Sequence, residues 1–544
     1  MHYQPQQPID KRQICFFNPT LTTQQWLVYS CHAVITIFSS IFIVAVGQDQ
    51  VLSLTKSTGE IAPIMIGQTD KRAEAERLSN QGMQLFQQGT AESLQQAIEK
   101  WETALPLWRE VGDQSQEALI NLVLGRTHDL LGFKQKALFY FNQALPLYRK
   151  LEYRAEEAAT LLNIGHVYDT LGEKQKALEY LQQALSLARI VGDRALEVAT
   201  LNNIGRAYDT LGEKEKALEY LQQALSLRQV VGDRALEAAT LNNIGHVYDT
   251  LGEKQQALEY YQQALPLTQA VGNRAEEAGI LNNIGAVYNA LGEKQQALEY
   301  YQQALPLSQA VGDRATEAGI LNNIGLVYNA LGEKEKALEY YQQALPLTQA
   351  VGNRAGEATT LSNIGGVYNA LGEKQQALEY LQQALLLSPA VGDRAQEAIT
   401  LHNIGLVYNA LGEKQRALEY YQQALPLSQA VGDRAQEATT LHNIGGVYGD
   451  LGEKQRALEY FQQALPLSQD VGDRAGEATI LSSIGHIYDA LGEKQRALEY
   501  YQQALPLSQA VSDRTQEARI LSSIGGVYNA LGEKQQALEY YQQA

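Results

Sequence analysis

Cysteine is scarce in this chain of 544 residues, whose two cysteines, Cys15 and Cys31, both lie near the amino terminus. Neither a disulfide framework nor a cysteine-ligated metal site can therefore exist in the rest of the chain. The sequence also offers no nucleophile with a base held nearby, no phosphate-binding glycine loop and no distinctive pair of carboxylates. We therefore predict that the chain is not an enzyme, with no catalytic residues and no cofactor.

Basic residues are outnumbered by acidic ones. The chain has 43 Lys and Arg against 61 Asp and Glu, which gives a net charge of −18. An acidic surface repels the phosphates of DNA and RNA. We therefore predict no nucleic-acid partner, and a protein or peptide partner that is neutral or basic.

One stretch, repeated many times, makes up most of the chain. Leu241 to Arg274 reads LNNIGHVYDTLGEKQQALEYYQQALPLTQAVGNR, and close copies recur every forty residues from about Ser115 to the last residue. A strict period of this kind is typical of a stack of identical units, each of which buries its apolar face against its neighbours.

Each repeat is predicted to form two antiparallel helices. In the first helix, Leu241, Ile244 and Tyr248 fall at helical spacing on one apolar face. Gly252 is expected to end this helix in a left-handed turn. The second helix has a similar apolar face, formed by Ala257, Tyr261, Ala264 and Leu265. Asn273, or Asp at the equivalent position, is expected to cap the next first helix.

Two residues inside these helices are unusual for their positions. Gly245 should cost roughly 1 kcal/mol relative to Ala, yet glycine holds this position in every repeat from Gly125 to Gly525. This persistence predicts a close helix crossing with no room for a Cβ atom. Pro266 lies inside the second helix, where proline removes a hydrogen bond, and predicts a kink or a local break.

The motif resembles the tetratricopeptide repeat. The residues at that family's spacing are Leu241, Ile244, Gly245, Tyr248, Gly252, Ala257, Tyr261 and Ala264. The forty-residue period is similar to the repeats of kinesin light chain, of adaptors with Leu-Gly-Asn repeats and of bacterial multi-repeat arrays. Two residues depart from the pattern: Leu241 stands where the family often has Trp, and Pro266 comes earlier than the family's terminal proline. The resemblance implies an all-α fold, a right-handed superhelix (α-solenoid) whose first helices line an inner groove.

The repeats divide into a degenerate copy and a regular series. Residues 71–113 form the degenerate first repeat, in which Gly82 and Trp101 keep the register. Residues 114–544 hold eleven repeats of period forty. The last stops at Ala544 inside its second helix, so we expect that the chain continues in a longer parent or is a truncated product.

Residues 1–47 are predicted to be a signal peptide or an N-terminal membrane anchor. Residues 26–46 form an uncharged run that is long enough to span a bilayer, and its end satisfies the small-residue rule for signal cleavage. The repeats would then be exported to the periplasm or the extracellular space, or anchored to a membrane by residues 26–46. Residues 48–70 lack any period and are predicted to be a flexible linker.

Asparagine recurs at one position of the first helix in successive repeats: Asn163, Asn203, Asn243, Asn283, Asn323, Asn363, Asn403 and Asn443. We call this series the asparagine ladder. A carboxamide matches both the N–H and the C=O of an extended peptide. Similar ladders in kinesin light chain hold peptides by their backbone, so the resemblance implies a peptide-binding ladder. Two alternatives stay open: the asparagines bond only to neighbouring helices, or they persist because the repeats were copied recently.

The residue after the invariant glycine, which we call the groove position, varies between repeats, whereas the residues around it are nearly identical. Side-chain selectivity would require such variation, although neutral drift would produce it too. The candidate selectivity residues are Arg206, His246, Leu326, Leu406 and His486. His402 and His442 hold equivalent positions in adjacent repeats, but packed helices lie about 8 to 10 Å apart. This separation is too large for two ligands of one zinc ion, so no metal site is predicted.

These features together predict a non-catalytic protein-interaction scaffold that binds an extended peptide or protein segment in the concave groove of the superhelix. Two other functions stay open. In the first alternative, the array is the sensor or regulatory half of a larger peptidase or signalling enzyme whose catalytic domain is absent from this chain. In the second, the array is a structural spacer.

Overall fold

A computed structural model of the chain describes residues 62–511 and 513–544, and all the regular structure in these ranges is helical. The first helices of the repeats are α1 (Ala62–Gln88), α3 (Gln114–Leu130), α5 (Arg154–Thr170), α7 (Arg194–Thr210), α10 (Arg234–Thr250), α12 (Arg274–Ala290), α14 (Arg314–Ala330), α16 (Arg354–Leu371), α18 (Arg394–Ala410), α20 (Arg434–Asp450), α22 (Arg474–Ala490) and α24 (Arg514–Leu531). The second helices are α2 (Ala91–Val111), α4 (Lys134–Leu151), α6 (Lys174–Val191), α8 (Lys214–Ser226) with the short α9 (Arg228–Val231), α11 (Lys254–Val271), α13 (Lys294–Val311), α15 (Lys334–Ala350), α17 (Lys374–Val391), α19 (Lys414–Val431), α21 (Lys454–Asp470), α23 (Lys494–Ala510) and α25 (Lys534–Gln543). The predicted pair of helices per repeat is confirmed.

The described part of the chain divides into two compact units, one that ends at Asn323 and one that begins at Ile324. Within each unit, a first helix packs on the second helix of its own repeat, and that second helix packs on the first helix of the next repeat. The core of each unit is therefore a series of layers. Tyr261 and Tyr301 are fully buried in the first unit, as are Tyr421 and Tyr501 in the second.

The predicted signals at the helix ends are confirmed. At the start of α12, the side chain of Asn273 accepts a hydrogen bond of 3.3 Å from the backbone N–H of Glu276. After α10, Gly252 has φ of +82°, and the N–H of Glu253 donates to the carbonyl of Tyr248 at 2.9 Å. These bonds satisfy backbone groups that the helices leave unpaired at their ends.

The close crossing predicted at Gly245 is also confirmed. A Cβ atom on Gly245 would lie 2.8 Å from Cδ1 of Tyr261, on the second helix of the same repeat. In the first repeat, Gly82 faces the ring of Trp101 in the same way. The glycine therefore lets an aromatic or leucine side chain lie directly on the backbone of the first helix.

The predicted break at Pro266 is wrong. Helix α11 continues through it from Lys254 to Val271. Pro266 and Gln262 both lie on the exposed side of the helix, so the carbonyl that loses its partner faces water. The interruption falls instead between α8 and α9, where Ser226 replaces the proline. Its hydroxyl donates to the carbonyl of Gln223 at 2.7 Å, but Ser186 holds the same position in the continuous helix α6, so serine alone does not explain the interruption.

The predicted linker is partly helical. Helix α1 begins at Ala62, so residues 62–70 of the predicted linker 48–70 belong to it. Pro63 lies in the first turn, where its missing N–H costs nothing, and the Ala, Lys, Arg and Glu residues after Thr69 favour helix. The rest of the linker and the predicted signal or anchor, residues 1–47, lie outside the described residues. Among the helices that the structure describes, none is both long and apolar enough to cross a bilayer.

Candidate functional site

The asparagine ladder lies where successive first helices meet. At least four of its amides bond to the residue 41 positions earlier, in the preceding repeat. The Nδ2 atom of Asn283 donates to Oδ1 of Asn242 at 3.2 Å, and the same bond joins Asn323 to Asn282 at 2.9 Å. In the second unit, Asn403 donates to the hydroxyl of Ser362 at 3.3 Å. The alternative in which the asparagines bond to neighbouring helices therefore accounts for part of the ladder.

The fourth such bond joins Asn443 to a histidine. Its amide nitrogen lies 3.1 Å from Nε2 of His402. The Nδ1 atom of His402 lies 2.9 Å from the hydroxyl of Thr440, which itself donates to a backbone carbonyl. Because the amide can only donate through its nitrogen, His402 is neutral and carries its proton on Nδ1. Burial lowers the pKa of His402 to about 4, which agrees with this assignment.

Burial of the ladder differs between repeats. Asn163 and Asn203 are buried, whereas the ladder asparagines from Asn243 onward are half-buried. Asn203 donates to the carbonyl of Ala199 in its own helix at 2.9 Å, and Arg206 lies against its oxygen at 3.4 Å. The later rungs are therefore more accessible to a ligand than the first two.

The groove-position residues fall into a polar group and an apolar group. Arg206 donates to Oδ2 of Asp169 at 3.1 Å, and Nδ1 of His246 lies 3.0 Å from Oδ2 of Asp209. Leu326 is exposed, with an exposed fraction of 36%. The other candidate selectivity residues are Leu406, which is half-buried, and His486, which is exposed.

Arg206 and His246 each pair with an aspartate 37 positions earlier, in the preceding repeat. The third example, His166 with Asp129, has a separation of 3.8 Å. Every one of these aspartates also binds a lysine five residues later, such as Lys214 beside Asp209 at 2.7 Å. Burial raises the pKa of Asp209, but the hydrogen bonds from His246 and Lys214 outweigh it, so the net pKa lies below its ordinary value.

The sequence analysis missed these aspartates as partners of the groove position. The structure pairs His246 with Asp209 of the repeat before. One signal was present in the sequence. Within the first unit, histidine and arginine at the groove position end at His246, and the aspartate series ends at Asp249, which asparagine follows at Asn289.

His442, which holds the position equivalent to His402, has a hydroxyl as its partner. His442 bonds through Nε2 to the hydroxyl of Ser483 at 3.0 Å, and burial lowers its pKa to about 4. Among the described residues, no group of three or more His, Cys, Asp or Glu side chains is arranged to hold a metal ion.

The tetratricopeptide repeat family model matches most of the chain, over residues 156–229, 197–270, 276–350, 316–390, 356–430, 396–470, 436–510 and 476–544. The chain belongs to the tetratricopeptide repeat family, as its spacing predicted. No curated protein matches the chain in sequence.

Solved structures with a similar fold share little sequence identity with the chain. A signal transduction ATPase with numerous domains and a tetratricopeptide repeat sensor, from Pyrococcus horikoshii, is 16% identical with a TM-score of 0.50; the match covers 68% of this chain and 55% of that one. BtubC from P. vanneervenii is 23% identical with a TM-score of 0.37, over 40% of this chain and 92% of that one. The quorum sensor NprR from B. thuringiensis is 17% identical with a TM-score of 0.47, over 66% and 99%. At these identities the similarity concerns the fold alone.

Proposed function

We propose that the chain is a non-catalytic scaffold that binds an extended peptide or protein segment in the concave groove of a right-handed superhelix. The supporting observation is the row of half-buried carboxamides on successive first helices. Asn283 and Asn323 each bond to the preceding repeat through one N–H. A carboxamide has two N–H donors and an oxygen with two lone pairs, so capacity is left for a peptide backbone.

The groove position beside each rung gives this surface its selectivity. Leu326 is exposed, and Gly366 in the next repeat leaves open space where a Cβ atom would stand. Leu406 and Gly446 repeat this alternation of a large and an absent side chain. Apolar side chains of a bound peptide would contact the leucines and enter the spaces above the glycines.

Peptide selection with a matched pair of variants tests the proposal. Peptides selected from a random display library on the chain are measured against Leu326→Ala and Leu331→Ala. Leu331 lies in the turn that follows the same helix and is 46% exposed, so it controls for the loss of an exposed leucine elsewhere. We expect Leu326→Ala to weaken binding about five- to thirtyfold, from roughly 1 to 2 kcal/mol of lost apolar contact, and Leu331→Ala to leave it unchanged.

Two results would contradict the proposal. If no peptide is enriched, a structural spacer is favoured. If both variants weaken binding equally, the peptides bind outside the groove.

We also propose that residues 26–46 export the repeats or anchor them to a membrane, on the basis of the uncharged run in that segment. Protease added outside cells with an opened outer envelope should then degrade the repeats along with an exported control protein. The mass of the mature N-terminus distinguishes cleavage from anchoring. Repeats that survive while the control is degraded would show that they stay inside the cell.

A further inference from the structure

The pairs between an aspartate and a histidine or arginine of the next repeat end at one place in the first unit. Each aspartate at this position meets a basic groove residue of the next repeat: Asp129 with His166, Asp169 with Arg206, and Asp209 with His246. Asp249 is the next aspartate in the series, and the groove position of the repeat after it is Ala286. The carboxylate is kept at this junction, whereas the imidazole or guanidinium is replaced by a methyl group.

Exposure of the carboxylates reflects this replacement. The side chains of Asp129, Asp169 and Asp209 are 3%, 5% and 7% exposed where a basic groove residue covers them. The side chain of Asp249 is 26% exposed. The space taken by an imidazole or a guanidinium at the earlier junctions is therefore open at Asp249.

Asp249 interacts with the following repeat even though it lacks a cation there. Burial raises the pKa of the Tyr301 hydroxyl, and the negative charge of Asp249 adds to this shift. Tyr301 lies against Gly285, the residue before Ala286. The carboxylate of Asp249 thus acts on the same part of the next repeat as the paired aspartates do on theirs.

Lys254 does not take the place of the histidine or arginine that is missing beside Asp249. Lys254 binds Oδ1 of Asp249 at 2.7 Å, but Lys214 makes the same bond to Asp209, which also has His246. Two basic partners for each aspartate are therefore the pattern in the earlier repeats. From Asn289 onward the position is mostly uncharged and the groove residues mostly apolar, so carboxylate and cation are generally lost together. Asp249 departs from this rule.

We propose that the bound peptide supplies the missing cation: an arginine or lysine side chain of the partner enters the open position above Ala286 and pairs with Asp249. This inference rests on the proposed peptide binding and adds the chemistry of one specificity position. It also agrees with the acidic charge of the chain, which favours a basic partner. Asp489 is a second carboxylate of this kind, in the second unit, because it is 37% exposed and precedes Gly526 at the next groove position.

The test uses peptides selected from a random display library on the parent chain and the same peptides with citrulline in place of arginine. Citrulline keeps the shape of arginine without the charge. We expect selected peptides to carry Arg or Lys at one fixed position, and the citrulline form to bind roughly five- to tenfold more weakly, as for a charged hydrogen bond that is partly exposed. The difference should shrink at high salt.

Four variants locate the effect. In Asp249→Asn, which has the residue found at Asn289 and Asn369, arginine and citrulline peptides should bind equally. Ala286→Arg should fill the position from within the chain and also abolish the preference. Leu406→Arg adds the same charge where the preceding repeat has Asn369, and should leave the preference for the arginine peptide unchanged. Glu259→Gln removes one exposed negative charge from the same repeat as Asp249 and should keep it as well.

The outcomes separate this inference from the proposed function. Selected peptides that carry no basic residue, or a citrulline effect that persists in Asp249→Asn, would overturn the inference and leave peptide binding intact. Loss of the preference in Glu259→Gln would show a general attraction to negative charge and would also overturn it. If no peptide is enriched, the proposed function and this inference both fail.

Discussion

The amide nitrogen of Asn443 lies 3.1 Å from Nε2 of His402, across the boundary between two repeats of the second unit. His402 is 5% exposed and packs against the ring of Tyr421 at 5.3 Å. A residue of the asparagine ladder thus fixes the tautomer of a buried histidine in the repeat before it. Burial of His402, which lowers the pKa of its imidazole, makes the stability of the second unit sensitive to pH.

Acid should weaken the repeats around His402. Burial lowers its pKa from the ordinary 6.5 to about 4, so the folded state disfavours the charged form. Stability is complete above pH 6.5 and is lost as the pH falls towards 4, by about 2 to 3 kcal/mol at pH 4.5. Hydrogen exchange of α18 at pH 7 and pH 4.5 measures the loss. His402→Asn, which restores the residue found at Asn282, should remove the share due to His402 and leave that of His442, whose pKa burial also lowers to about 4; equal dependence in both proteins would contradict the assignment.

Replacing Asn443, the ladder residue that contacts His402, by aspartate should raise the pKa of His402, whereas burial lowers it. In Asn443→Asp the carboxylate can only accept, so it favours a proton on Nε2 of His402. We expect the pKa of His402 to rise from about 4 by at least 1 unit. An NMR titration of the imidazole carbons measures the shift. Asn323→Asp, whose partner is Asn282, serves as the control, and a matching rise in that variant would show that the effect is not local.

Two adjacent glycines should respond oppositely to the same substitution. A Cβ atom on Gly365 would lie 2.6 Å from Cγ of Leu381, whereas one on Gly366 would meet nothing within 4 Å. We expect Gly365→Ala to cost about 1 to 3 kcal/mol through overpacking, and Gly366→Ala to stabilise by about 0.5 to 1 kcal/mol through helix propensity. Urea unfolding of both variants gives the comparison. Equal signs would contradict the packing of the first helix on Leu381.

Removing only Arg206 from its pair with Asp169 should lower the free energy of unfolding more than replacing both residues. Arg206→Leu leaves a buried carboxylate with Lys174 as its remaining basic partner and should cost about 2 to 3 kcal/mol. The double variant Asp169→Asn with Arg206→Leu reproduces the combination found at Asn369 and Leu406, and should cost less than about 1 kcal/mol. A double-mutant cycle by thermal unfolding measures the coupling. Additive losses would show that the two side chains do not interact.

Local structure and family were predictable because they depend on residues close together in one repeat. Gly252 ended the first helix and Asn273 capped the next one as expected, since both act on backbone groups within a few residues. Pro266 was misjudged because its effect depends on which side of the helix faces water. The sequence does not give that orientation residue by residue.

The candidate site was predictable in position but not in its contacts. The spacing located the ladder on the first helix, yet the buried Asn203 and the half-buried Asn283 have the same local sequence. The groove-position residue beside them differs, because Arg206 lies against Asn203 whereas Ala286 is too short to cover Asn283. Accessibility of a rung thus depends on the size of a neighbouring side chain in the folded array.

The sequence by itself determined the family, the period and the pair of helices in each repeat, because turn residues and apolar spacing act along the chain. Only the tertiary structure decided which side chains of different repeats meet, as in the pair of Asp209 with His246 and the pair of Asn242 with Asn283. Those partners are 37 and 41 residues apart. The offset between them is set by the packing of one first helix on the next, and this packing depends on side chains from both repeats together.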